Sequence, residues 1–169
     1  MNRVVNWIGW WFFLLIMAVG FLTSTTARCK QRVEVSFVSP GGNQSDTVLA
    51  EVAIRPLEKY VGLSDHDTLP KDSGMLFVYR QTDTRSFVMR DMNFPINMIF
   101  IGETNRVTAV YHATLPDTAT GHHQLRRYRA PARFVLEVNR GWATENKILR
   151  GSRMKVDEKI WRKQWSIKK

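Results

Sequence analysis

Arg85, Arg90, Asp91 and Asn97 stand near the ends of two apolar runs, and Glu137 stands inside a later one. A guanidinium offers a planar fork of donors that fits a carboxylate or a phosphate. Arg90 is therefore expected either to pair with Glu137 or to hold a small anionic ligand, with Arg85 and Asn97 beside it. His112 closes an alternating run, where an imidazole serves as a core-edge side chain or as a pocket base. Glu137 with a histidine such as His112 is the acid–base pair that a hydrolase or lyase would need. His122 and His123 lie near Asp117. Imidazoles adjacent in sequence seldom share one ion, and no third ligand stands at a recognisable spacing, so a solvated loop and no metal are expected. Cys29, the single cysteine, sits beside an apolar segment with no base nearby, which argues against thiol catalysis. The chain carries no Gly-x-Ser-x-Gly elbow, no His-Glu-x-x-His and no Gly-x-Gly-x-x-Gly, so no cofactor is expected.

The elements that would position these residues are short and strand-like. Residues 33–37 alternate apolar and polar as a half-buried strand does. Pro40, Gly41, Gly42 and Asn43 break the run, and residues 47–54 resume it. Pro56, Leu57, Tyr60 and Val61 then follow helical spacing, with Pro in the first turn and Gly62 at the end. Arg55 makes a poor N-cap for that helix. Beyond a polar loop at 64–73, the runs at 74–79, 86–89, 97–101 and 106–112 are rich in β-branched and aromatic side chains. Gly102-Glu103-Thr104-Asn105 reads as a hairpin turn between the last two. Alternation puts Phe87 and Met89 on one side and Ser86, Val88 and Arg90 on the other. Met75, Phe77, Phe87 and Met89 read as core. A long polar loop fills 115–130, residues 133–138 alternate again, and 139–146 suit a helical turn capped by Asn139. Residues 147–156 close the domain. The expected fold is mainly β, a β-rich α+β domain: a small antiparallel barrel-like sheet with one or two short helices, preceded by an N-terminal apolar helix.

Residues 31–158 are long enough to bury one real core without disulfides. The formal net charge of +10 fits an anionic partner. The basic residues are dispersed, apart from Arg126, Arg127, Arg129 and the last eleven positions. No tract follows a phosphate backbone, and nucleic acid is not an expected partner. Residues 7–22 carry no charge or strongly polar group. As a helix rising ~1.5 Å per residue they cover roughly 24 Å, a little short of a ~30 Å hydrocarbon core, and extension to residue 27 closes the gap. Trp7, Trp10 and Trp11 suit the interfacial belt. Thr25 and Ala27 fit a signal-peptide cleavage site, and an uncleaved anchor fits equally. Lipidation at Cys29 would want a small residue where Arg28 stands. Arg3 lies on one side of the segment and Arg28, Lys30 and Arg32 on the other, so orientation stays open, with export to the periplasmic or extracellular side as the expectation. The chain thus divides into residues 1–30 (signal peptide or membrane anchor), 31–158 (the β-rich domain) and 159–169 (a basic tail). Trp161 and Trp165 share a helical face in that tail, which would suit an anionic membrane surface or a frayed end.

Four blocks in order between residues 50 and 157 resemble one family. They are Pro56-Leu57-Glu58 with Gly62-Leu63 and Leu69-Pro70; Gly74-Met75-Leu76-Phe77-Val78; Ser86-Phe87-Val88-Met89-Arg90 with Pro95-Ile96-Asn97-Met98-Ile99-Phe100; and Pro131-Ala132-Arg133-Phe134-Val135-Leu136-Glu137-Val138 with Gly141-Trp142-Ala143. This pattern resembles the domain of unknown function 192 family, also called uncharacterised protein family 0127. The resemblance implies a small β-rich fold, often behind an export signal or membrane anchor, and no established biochemical role. Relatives usually carry Trp and Lys around the methionine where this chain has Val88 and Arg90, and Asp where it has Asn97. The middle loop also lacks the cysteines of many members. An amide at 97 neither takes up a proton near neutrality nor carries charge.

The leading expectation is a membrane-associated or exported accessory module that binds a small anionic ligand, a polysaccharide or an envelope protein. The alternative is a hydrolase or lyase using Glu137 and a histidine. Geometry separates the two, because an enzyme of that kind needs Glu137 and His112 lining one concave pocket.

Overall fold

Period-two alternation becomes strand almost wherever it occurs. The computed structural model describes residues 30–64, 66–116, 125–159 and 161–162. The apolar segment 7–22, Cys29, Asp117 with His122 and His123, and residues 163–169 lie outside the described residues, as do the expectations placed on them. No helix among the described residues is long and apolar enough to cross a membrane.

The chain order is β1 (Arg32–Val38), β2 (Val48–Ala53), α1 (Pro56–Val61), β3 (Ser73–Phe87), β4 (Ile96–Ile101), β5 (Val107–Ala113), β6 (Tyr128–Asn139), α2 (Trp142–Glu145) and β7 (Arg153–Val156). The seven strands form one sheet in the order β5-β4-β6-β3-β2-β1-β7. The fold is mainly β, a curled half-barrel with two short helices. Its two edge strands meet at one end: Met154 N–H donates to the Asn105 carbonyl (2.8 Å) and Val107 N–H to the Ser152 carbonyl (2.9 Å).

Several details differ from the reading of the sequence, among them the start of β6 at Tyr128, inside the loop expected over 115–130. The sheet is not wholly antiparallel, because β2 and β3 pair in parallel from Leu49↔Ser73 to Ala53↔Phe77. The segment carrying α1 supplies the crossover that such a pair requires. The runs at 74–79 and 86–89 are not separate strands; β3 runs through Phe87 and pairs with β6 on both sides of an irregularity between Val78 and Asp83. Asn139 does not cap the later helix, since Gly141 holds that position and Asn139 Nδ2 donates instead to the Leu69 and Pro70 carbonyls (3.0 Å each).

Alternation along each strand divides the apolar side chains into two cores. Val35, Phe37, Leu76, Ile99, Phe134, Leu136 and Trp142 belong to the first, which draws on all seven strands and fills the curl. Met75, Phe77, Met98, Phe100 and Val135 belong to the second, on the opposite face of β3, β6 and β4. Residues 87–94 cover part of that outer face through Phe87, Met89, Met92 and Phe94. The turn after α1 adds Leu63. The space between this cover and the sheet holds the site.

Candidate functional site

Glu137 is an acidic residue at a position the strand pattern reserves for the second core. Along β6, Val135 and Glu137 point to the outer face while Phe134, Leu136 and Val138 point into the curl. Its neighbours across the sheet are Met75 on β3 and Met98 on β4. The side chain is 5% exposed. Among the described residues nothing hydrogen-bonds its carboxyl group or pairs with it as an ion. Burial alone pushes the carboxyl up to about 8, so it is mostly protonated at neutral pH.

A chamber of about 200 Å³ opens beside it, lined by Phe77, Tyr79, Phe87, Leu63, Lys59 and Arg90 among others. This exceeds the ~150 Å³ of an apolar cavity that takes up benzene. A wider groove of about 690 Å³ adjoins it, sharing Tyr60, Val61, Ser64, Val88 and Arg90 with the chamber and adding Arg127. Phe77 and Phe87 meet edge to face at 4.9 Å, and the contact continues to Phe100 at 5.7 Å. The chamber therefore has an aromatic wall, a neutral acid inside and cationic side chains along its lining.

Helix α1 supplies the first of those cations. Arg55 lacks a capping side chain, but Glu58 reaches back: Arg55 N–H and Ile54 N–H donate to Glu58 Oε2 at 2.8 and 3.0 Å. This is the returning half of a capping box, and it occupies the carboxylate beside Lys59. Helical spacing marked Leu57 and Tyr60 as the packing face, yet they are 72% and 67% exposed. Lys59 turns inward instead and lays its ammonium 4.1 Å from the centre of the Tyr79 ring. Burial and then the nearby Arg85 charge lower Lys59 to about 8, with Glu58 opposing. Its contact with the Tyr79 face favours the ammonium and also opposes that shift. The Tyr79 phenol is raised, by burial first and also by Glu137, against the pull of Arg85. Lys59 and Tyr79 are site residues that the strand and helix periods did not single out.

The sequence candidates divide between two faces. Arg90 lines both the chamber and the groove, but it does not pair with Glu137. It donates to the Tyr60 carbonyl (2.6 Å), stacks on the Tyr60 ring at 4.1 Å and approaches Asp91 at 3.6 Å. Arg90 lies beyond the end of β3, so strand alternation does not govern its direction. Arg85 stacks on Tyr79 at 3.9 Å and donates to the carbonyls of Gln81 and Ala132. Asn97 and His112 are cross-strand partners on the other face: Asn97 pairs with Val138, an inward-pointing residue of β6. His112 lines a different groove, with Ser39, Thr144 and Lys147. Glu137 and His112 therefore do not share a pocket, and the acid–base pair of these two residues is not assembled.

Residues 37–156 match the family described as Uncharacterized ACR, DUF192, a span that runs from within β1 to the end of β7. The chain belongs to the DUF192 family. Two solved structures share the fold. A proposed transcription regulator from Sinorhizobium meliloti is 23% identical, with 75% of this chain and 95% of that one covered and a TM-score of 0.66. A protein of unknown function from Novosphingobium aromaticivorans is 26% identical, with 77% and 89% covered and a TM-score of 0.66. The first likeness shows fold alone. No curated protein matches the chain significantly.

In this DUF192 domain Asn97 is fully buried and uses both ends of its amide. Its Oδ1 accepts from Ala143 N–H at 3.0 Å, satisfying a first-turn donor of α2. That fixes Nδ2 as the donor to His112 Nδ1 at 2.7 Å, so His112 carries its proton on Nε2. An aspartate there would accept from both neighbours and require a proton on Nδ1 instead. Asn97 ties β4 and β5 to α2, which is a structural role.

Proposed function

We propose that this DUF192 domain is a binding module for a small ligand with an apolar body and a carbonyl or carboxylate head. The observation that carries this reading is the uncompensated Glu137 carboxyl against a chamber large enough for an aromatic ring. A buried acid kept neutral by its surroundings donates a hydrogen bond that water would otherwise weaken. A carbonyl or carboxylate oxygen is the natural acceptor. Lys59 and Arg90 favour negative charge on the ligand, and the aromatic wall of Phe77 and Phe87 favours an apolar remainder. This narrows the anionic-ligand expectation to the Glu137 chamber and moves its centre away from Arg90.

Placement at a membrane is part of the proposal on sequence grounds: residues 7–22 are apolar throughout and of nearly spanning length. The domain would then face the periplasmic or extracellular side, held by that segment or released by cleavage after it.

Benzoate is a suitable probe. Titrated into the isotopically labelled protein, it is expected to shift the amide and side-chain signals of Phe77, Tyr79, Phe87 and Glu137 together, and Glu137→Ala is expected to weaken binding by about tenfold, near the worth of one buried hydrogen bond. Unmoved chamber signals at millimolar benzoate and butyrate would refute the reading.

A further inference from the structure

Lys59 occupies its position against the ordinary logic of a surface helix. A short helix normally turns its apolar residues to the core and its lysines to water. Helix α1 exposes Leu57 and Tyr60 and turns Lys59 into the chamber. The lysine gains no carboxylate by doing so, since the adjacent Glu58 is bound by Arg55 and by two backbone amides. Among the described residues no ion pair holds the Lys59 ammonium. It has the face of Tyr79 at 4.1 Å, and the Arg85 guanidinium lies over the same ring at 3.9 Å. A desolvated lysine beside a second cation is the arrangement that activates an amine as a nucleophile. Glu137, the acid of the same chamber, has no hydrogen-bond or ion-pair partner among the described residues.

We infer that Lys59 captures small aldehydes and ketones as an imine, with the Glu137 carboxyl as the proton donor. This rests on the reading of the chamber as a small-ligand site and names the ligand class as carbonyl compounds. The neutral Nζ lone pair attacks the carbonyl carbon, a C–N bond forms, and the carbonyl π pair moves to oxygen. That oxygen takes the Glu137 proton, while the new ammonium returns one proton to the Glu137 carboxylate. The resulting hydroxyl takes this proton and leaves as water as the C=N bond forms, and the proton left on the iminium nitrogen returns to the Glu137 carboxylate. The sum is amine plus carbonyl giving imine plus water, with no oxidant or reductant. The lowered Lys59 amine, near 8, leaves about one tenth of it free at pH 7, on the order of 10²-fold more than an ordinary lysine.

The test uses the full chain in detergent with benzaldehyde and cyanoborohydride, which reduces an imine to a stable secondary amine. Peptide mapping by mass spectrometry is expected to find Lys59 labelled at least tenfold faster than any other lysine, with the rate highest near pH 8, where free amine and protonated Glu137 coexist. The α-amino terminus, with an ordinary value near 8, also reacts and is distinguished by mapping. Glu137→Gln is expected to slow Lys59 labelling by about tenfold or more. Lys59 labelled no faster than the other lysines, in a protein whose chamber still binds benzoate, overturns the imine inference alone. Uniform labelling together with no benzoate binding overturns both the imine and the chamber as a ligand site. Because the decisive readout is the labelling map of the unaltered protein, it does not depend on a variant that folds.

Discussion

Glu137 opposes the fold wherever it must ionise. Its carboxyl moves from 4.5 in the unfolded chain to about 8 in the folded one. Between those values the folded state holds a proton that the unfolded state has lost, so stability is greatest below about 4.5 and falls as pH rises toward 8. Glu137→Gln removes the titration. The variant is expected to exceed the wild type by one to several kcal/mol at pH 8.5 and to lose this advantage at pH 4.5, read from urea midpoints at the two pH values. Parallel pH profiles would contradict the burial of an ionisable carboxyl. At this scale the sequence shows only that an acid falls inside an apolar run. Whether that acid is paired depends on Arg90, whose direction is set by Tyr60 rather than by strand alternation. Lys59 was illegible for a similar reason: spacing identified Leu57 and Tyr60 as the packing face, and the helix turns the other way.

Elements were more legible than their partners. The runs at 33–37, 97–101, 106–112 and 133–138 are strands because alternation is a local property. The Gly102–Asn105 turn is equally local: Gly102 N–H donates to the Arg106 carbonyl at 2.9 Å and Asn105 takes φ +58°. Direction and register are not local. Nothing in residues 47–54 says that β2 runs parallel to β3, and residues 80–85 fall between two apolar runs because that part of β3 is largely solvent-exposed. The pairing of β3 with β6 also fixes the back of the chamber, and Gly74 permits it. A Cβ at Gly74 would stand 2.7 Å from the Glu137 carbonyl oxygen and 3.0 Å from Val48 Cγ1. Gly74→Ala is therefore expected to cost about 1–3 kcal/mol, as overpacking does. An unchanged thermal midpoint would mean that the two strands do not approach this closely.

The whole molecule closes with residues that the sequence placed outside it. Trp161 falls in the basic tail, expected either on an anionic membrane surface or in a frayed end, yet it is fully buried and meets Phe134 at 5.6 Å. Trp161 therefore packs into the first core, and its ring is not available to lipid. Trp161→Ala is expected to cost about 3–5 kcal/mol in chemical denaturation; a loss within ±0.5 kcal/mol, typical of a surface site, would return the residue to the tail. Fold class and the two-faced core follow from composition and alternation, while the chamber arises only when α1, residues 86–92 and the outer face of the sheet come together. The net charge of +10 bears on that chamber as well. A surplus of cations favours ionised carboxylates throughout the molecule, so a neutral Glu137 requires local burial to outweigh the field of the whole. A carbon-13 NMR titration of the glutamate side-chain carboxyl signals decides between them. The Glu137 signal is expected to titrate near 8; a midpoint near 4.5 would mean a solvated, ionised carboxylate and no neutral acid in the chamber.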